Sequence, residues 1–120
     1  MTIRRMKTYT GGQGYVYQYY FVGDRPVPAK RTQEAVKEYI FDVTSDRKTT
    51  FAVSVFLPAK AVETWTARHG RPLTDAEQYG AVKMRLFQAF DEVEDLMSHG
   101  RQLWVDSTIL EKALTTLGVD

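Results

Sequence analysis

Residues 15–22 read Tyr-Val-Tyr-Gln-Tyr-Tyr-Phe-Val, after Gly11-Gly12-Gln13-Gly14 and before Gly23-Asp24-Arg25-Pro26. Aromatic and β-branched side chains suit a pleated strand, and the flanking glycines and proline are turn residues, so this stretch is a strand. Ile3–Tyr9 is its expected hairpin partner, with the glycines supplying the positive φ angles of the turn. Successive strand residues point to opposite faces. One face of this strand therefore carries Tyr15, Tyr17, Tyr19 and Phe21, and the other carries Val16, Gln18, Tyr20 and Val22. Both sets are apolar enough to be core, so whichever turns inward leaves an apolar stripe outside.

Working outward, residues 27–36 hold Pro28 and several charges without periodicity and read as a loop. Glu38–Thr44 and Thr50–Leu57 flank the polar turn Ser45-Asp46-Arg47-Lys48, which predicts an antiparallel hairpin. Its better apolar set is Tyr39, Phe41, Val43, Phe51, Val53, Val55 and Leu57, assigned to the face under the helices. Pro58 opens a short helix that Gly70 ends. Thr74-Asp75-Ala76-Glu77 is a capping box, and Tyr79, Val82, Leu86, Phe90, Val93 and Met97 then recur at threes and fours. That pattern predicts one helix running to Ser98-His99-Gly100. Leu103-Trp104-Val105 is a short strand or extended link, and Asp106 caps a last helix with an Ile109, Leu110, Ala113, Leu114 and Leu117 stripe. Trp65, Trp104, Phe87 and Phe90 fall on apolar stripes and read as core.

The fold class is α+β: a small antiparallel sheet of three to four strands, with about three helices packed on one face. The expected organisation is a single domain over 1–120, strand-rich to residue 57 and helix-rich from residue 58. The 120 residues are 43% apolar and 26% charged, as in an ordinary globular domain that needs no disulfide or metal to fold. No cysteine is present. That excludes thiol nucleophiles, disulfides and Cys-ligated metal sites. No apolar run spans a membrane and Met1–Lys7 is polar and basic, which reads as a cytoplasmic chain with no membrane partner.

The near-zero net charge conceals an asymmetry. Residues 1–60 carry ten Lys/Arg and five Asp/Glu, against six and ten in the remainder. Such a distribution steers an anionic partner to one end or lets copies dock head against tail. Asp91, Glu92, Glu94 and Asp95 cluster late in the long helix, where negative charge opposes the macrodipole and favours a basic neighbour such as Arg4, Arg5 or Lys7 of another copy.

Local motifs give no catalytic residue, no metal site and no cofactor. Gly11-Gly12-Gln13 matches the loop tripeptide of peptide release factors over three residues only, and Gly11–Gly14 also spells Gly-x-x-Gly; a glycine-rich turn before a strand accounts for both. His69 and His99 each precede a glycine at a helix end and read as C-terminal capping residues, without an orienting carboxylate or cleft that spacing would reveal.

The leading reading is a noncatalytic protein-interaction module that self-associates, or meets a protein partner, through Tyr15, Tyr17, Tyr19 and Phe21. The alternative is single-stranded nucleic-acid binding, with Tyr17 and Tyr19 stacking bases while Arg4, Arg5, Lys7 and Arg25 hold phosphates. A third is a small-molecule pocket between sheet and helices, with tyrosine hydroxyls and Arg85 as its polar groups.

Overall fold

The computed structural model describes residues 6–12, 14–27 and 34–120. Arg4, Arg5, Gln13 and most of the 27–36 loop lie outside the described residues. The described residues form one mixed sheet of five strands and four helices. β1 (Lys7–Thr10), β2 (Val16–Pro26), β3 (Val36–Thr44) and β4 (Phe51–Pro58) make an antiparallel meander in chain order. α1 (Ala59–His69), α2 (Asp75–Glu92) and α3 (Leu96–His99) follow, then β5 (Gln102–Trp104), which joins β4 in parallel, then α4 (Ser107–Thr116). The fifth strand corrects the expected all-antiparallel sheet of three to four strands. A parallel neighbour requires a crossover, and α1 to α3 are that crossover.

The β3–β4 register pairs Tyr39 with Val55, Phe41 with Val53 and Val43 with Phe51, so the apolar set of the hairpin shares one face. All of these side chains are buried. α1 and α2 cover that face, and α4 packs across both, burying Leu110 and Leu114. β2 runs four residues beyond the expected stop at Val22. A bulge between Phe21 and Gly23 absorbs the irregularity and returns the strand to register with Ile40.

Local signals set the helix ends. α1 starts after Pro58 and stops at Gly70, whose φ of 74° is left-handed and whose N–H bonds the Thr66 carbonyl. The capping box at Thr74 is complete: its hydroxyl accepts from the Glu77 N–H, and its own N–H donates to the Glu77 carboxylate. α2 ends at Glu92, before the expected Ser98, with Val93 already extended. Two interactions explain the break. Asp91 is pulled sideways to accept bonds from the Tyr9 hydroxyl and the Gly12 N–H, and Asp95 starts a new turn by accepting from the Ser98 N–H. Carboxylates here would also strain a continuing helix end.

Arg71 grips both oxygens of Glu77, each at 3.1 Å, and the Thr74 N–H adds a further bond. Arg71, and then Thr74, hold this carboxyl down at about 2 against its ordinary 4.5. The stabilisation from this group is therefore complete above pH 4.5 and is lost as pH falls toward about 2. Glu77→Gln is expected to flatten the acid limb of a stability–pH profile over that window, measured by urea unfolding at successive pH values. An unchanged acid limb would assign the loss to other carboxylates.

Candidate functional site

α2 uses up the aromatic stripe of β2. Tyr17 and Tyr19 are 3% and 4% exposed. Tyr17 stacks on Phe90 at 4.4 Å, Tyr19 meets Phe87 edge-on at 5.6 Å, and Phe21 packs on Tyr79 at 4.9 Å. Of the four proposed interaction residues only Tyr15 stays open, at 47% exposure. This corrects the expected docking stripe: the helices take the Tyr17 set because it lies in register with Phe41 and Val43, the apolar set of the hairpin.

Lys7 and Arg25, the two described residues of the set expected to hold phosphates, do not converge either. Lys7 lies opposite Tyr19 and so shares the helix-covered face, beside Lys83, whose ammonium is pushed down by burial and then by Lys7. Arg25 lies on the opposite face, where its Nε donates to Glu38 at 2.8 Å. With Tyr17 and Tyr19 enclosed, no stacking platform remains between these cations. Arg85 is also committed, its Nε donating to the Trp104 carbonyl at the outer edge of β5. It lines none of the sheet–helix cavity, whose volume is about 410 Å³ and whose walls include Val36, Leu57 and Val62 with Asp24, Lys37 and Glu63.

The helix-end histidines differ from each other. His69 stacks on Trp65 at 4.2 Å, and its Nε2 lies 2.9 Å from both oxygens of Glu111 on α4. His69 first, and then Arg68, hold the Glu111 carboxyl below the usual carboxylate range. The orienting carboxylate that spacing could not reveal is thus present. It clamps α1 to α4 and faces no nucleophile in the described contacts. His99 is exposed at the end of α3.

Among the described residues no helix packs on the other sheet face. Val16 from β2, Ile40 from β3, Phe56 from β4 and Trp104 from β5 project there, and Val22 is exposed at the β2 bulge. Trp104 was expected in the core. It is 49% exposed because Leu103 and Val105 take the two inward positions of this short segment. Its ring stacks on Phe56 at 4.7 Å. The alternation Leu-Trp-Val was the sequence signal, masked by the brevity of the strand.

A satisfied polar network crosses the middle of this face. Glu38 accepts from Arg25 at one oxygen and from the Ser54 hydroxyl at 2.6 Å on the other, with its side chain only 12% exposed. Covering the face therefore leaves that carboxylate paired, which removes the main penalty for desolvating it. The arrangement can bury area against a flat partner; its described side chains bring together no nucleophile, base and oxyanion donors. No group of three or more His, Asp or Glu suited to a metal occurs among the described residues, and no helix there is long and apolar enough to cross a membrane. No protein-family model matches the chain, and neither a curated protein nor a solved structure matches it.

Proposed function

We propose that the chain is a noncatalytic interaction module that self-associates by packing the uncovered face of its sheet against the same face of a second copy. The observation that carries this is the sheet face on which no described helix packs, where Val16, Val22 and Trp104 are each nearly half exposed and Trp104 stacks on Phe56. Large apolar side chains left exposed on one sheet face mark interaction sites on globular domains.

Size favours a modest, symmetric contact. The five strands hold 35 residues, each covering about 3.3 by 4.8 Å, which gives a face of roughly 550 Å² per copy. Two such faces bury about 1,100 Å², at the weak end of specific interfaces, which fits micromolar association. A two-fold axis parallel to the strands and passing through β3 places β4 of one copy over β2 of the other and β5 over β1, as in aligned sheet packing.

Sedimentation velocity from about 1 to about 100 μM is expected to show a monomer–dimer equilibrium with a midpoint in the tens of micromolar. Trp104→Glu puts a charge in place of the largest exposed apolar side chain of that face and is expected to give a monomer throughout, with an unchanged circular dichroism spectrum. A wild-type chain that stays monomeric at about 100 μM would overturn self-association.

A further inference from the structure

The cavity between sheet and helices rests on two neighbouring rows of the helix-covered face. Register sets Pro26, Lys37 and Leu57 side by side in one row and Asp24, Tyr39 and Val55 in the next. α1 adds Ala59 and Val62 to its walls, and α2 adds Gln78. The Ala59 N–H donates to the Ala35 carbonyl and the Val27 N–H to the Val36 carbonyl, each at 2.8 Å, so backbone bonds fix the start of β3 between β2 and α1. The walls are therefore formed before any ligand arrives. At about 410 Å³, mostly apolar with a few polar groups, the space has the size and lining of a small-molecule site.

Tyr39, in the row beside this floor, carries an unused donor. It is 2% exposed, and its hydroxyl has no hydrogen-bond partner among the described residues. Native structures leave few buried polar groups in that state. Burial first, and then Asp24 and Asp75, push its pKa up to about 12, so the phenol is protonated at neutral pH. Lys37 brings a second donor. Its ammonium lies 5.3 Å over the Tyr39 ring centre and 3.9 Å from Asp24 Oδ1, too far for a hydrogen bond to that carboxylate. Asp24 and Glu63 on the walls oppose an anion, and Lys37 opposes a cation.

We propose that this cavity binds an uncharged small molecule with an apolar body and one carbonyl oxygen, the body against Pro26, Val36, Leu57 and Val62 and the oxygen accepting from the Lys37 ammonium and the Tyr39 hydroxyl. Pairing a buried group that the free protein leaves unpaired is the polar share of the affinity, and covering the apolar walls is the rest. The site lies on the helix side of the sheet and does not depend on self-association through the other face.

The test is a titration of isotopically labelled protein followed by amide chemical shifts. N-Methylhexanamide is expected to give saturating shifts at Lys37, Val62 and Gln78 with a Kd of about 1 mM. Hexanoate and hexylammonium, of similar length and opposite charge, are expected to bind several-fold more weakly. Tyr39→Phe removes only the hydroxyl and is expected to weaken amide binding about fivefold. Its urea midpoint should stay level or rise, because the free protein loses no hydrogen bond. Val62→Phe fills the cavity and is expected to abolish the shifts. No saturable shift with the amide, tighter binding of either ion, undiminished affinity in Tyr39→Phe, or persistent binding in Val62→Phe would overturn the proposal. So would a lower urea midpoint for Tyr39→Phe, which would show that the hydroxyl is already bonded in the free protein.

Discussion

Phe90→Ala is expected to lower the folding free energy by about 3–5 kcal/mol, the range for deleting a fully buried aromatic ring. Phe90 is fully buried and stacks on Tyr17 with ring planes 9° apart. It also lies within 6 Å of the Tyr9 and Tyr19 ring centroids. One ring from α2 therefore joins β1 and β2 to the helical layer. Removing it leaves a cavity walled by three tyrosines anchored on strands, which cannot collapse without breaking the ladder. Against a total of about 5–15 kcal/mol for a domain, such a loss populates the unfolded state appreciably at 37 °C. The urea midpoint is expected to fall by about 2 M at a typical denaturant slope. Phe87→Ala serves as the comparison. That ring stacks on Tyr9 at 4.5 Å but keeps one side toward water, so its removal costs less. Equal midpoints for the two variants would show that Phe90 does not join the layers as described.

The elements legible in the sequence are those whose signals are local. The aromatic run of β2, the hairpin around Ser45–Lys48, the Thr74–Glu77 box and the Asp106 cap each depend on residues within a few positions of one another. All four occur where the sequence places them. The parts that were not legible depend on distant partners. The inward face of β2 could not be chosen because Tyr17, Tyr19 and Val16, Val22 are both apolar sets; register with β3 decides it. The periodicity through Val93 and Met97 continues past the end of α2 because spacing does not record the pull on Asp91 from Tyr9, a residue 82 positions away. β5 is three residues long, too short for alternation to stand out, so Trp104 was placed in the core and the composition of the open face was missed. The apolar surplus itself was visible, because it is a property of both faces of β2 and does not depend on which one turns inward. The candidate surface thus keeps its cause and changes its residues.

Gly11→Ala is expected to cost about 2–3 kcal/mol, although it adds one methyl group in a turn. Gly11 is buried, and a Cβ there would lie 2.5 Å from the Phe90 carbonyl oxygen and 3.2 Å from its carbon. Both are backbone atoms of α2, so neither can rotate away. The turn must lift off the helix. Lifting it breaks the Gly12 N–H to Asp91 bond at 2.9 Å and stretches the two Tyr9 hydroxyl contacts to the same carboxylate. The neighbouring Gly12→Ala is the control: its Cβ would meet only Asp91, at 3.7 Å or more, and its cost should fall within about 0.5 kcal/mol. The Gly11 N–H also donates to the Tyr15 carbonyl at 2.8 Å, which ties the turn to the start of β2. The Gly11→Ala variant should therefore lose stability while Gly12→Ala keeps it, with urea unfolding of the two variants as the measurement. A Gly11→Ala protein as stable as wild type would mean that the turn does not rest against the end of α2.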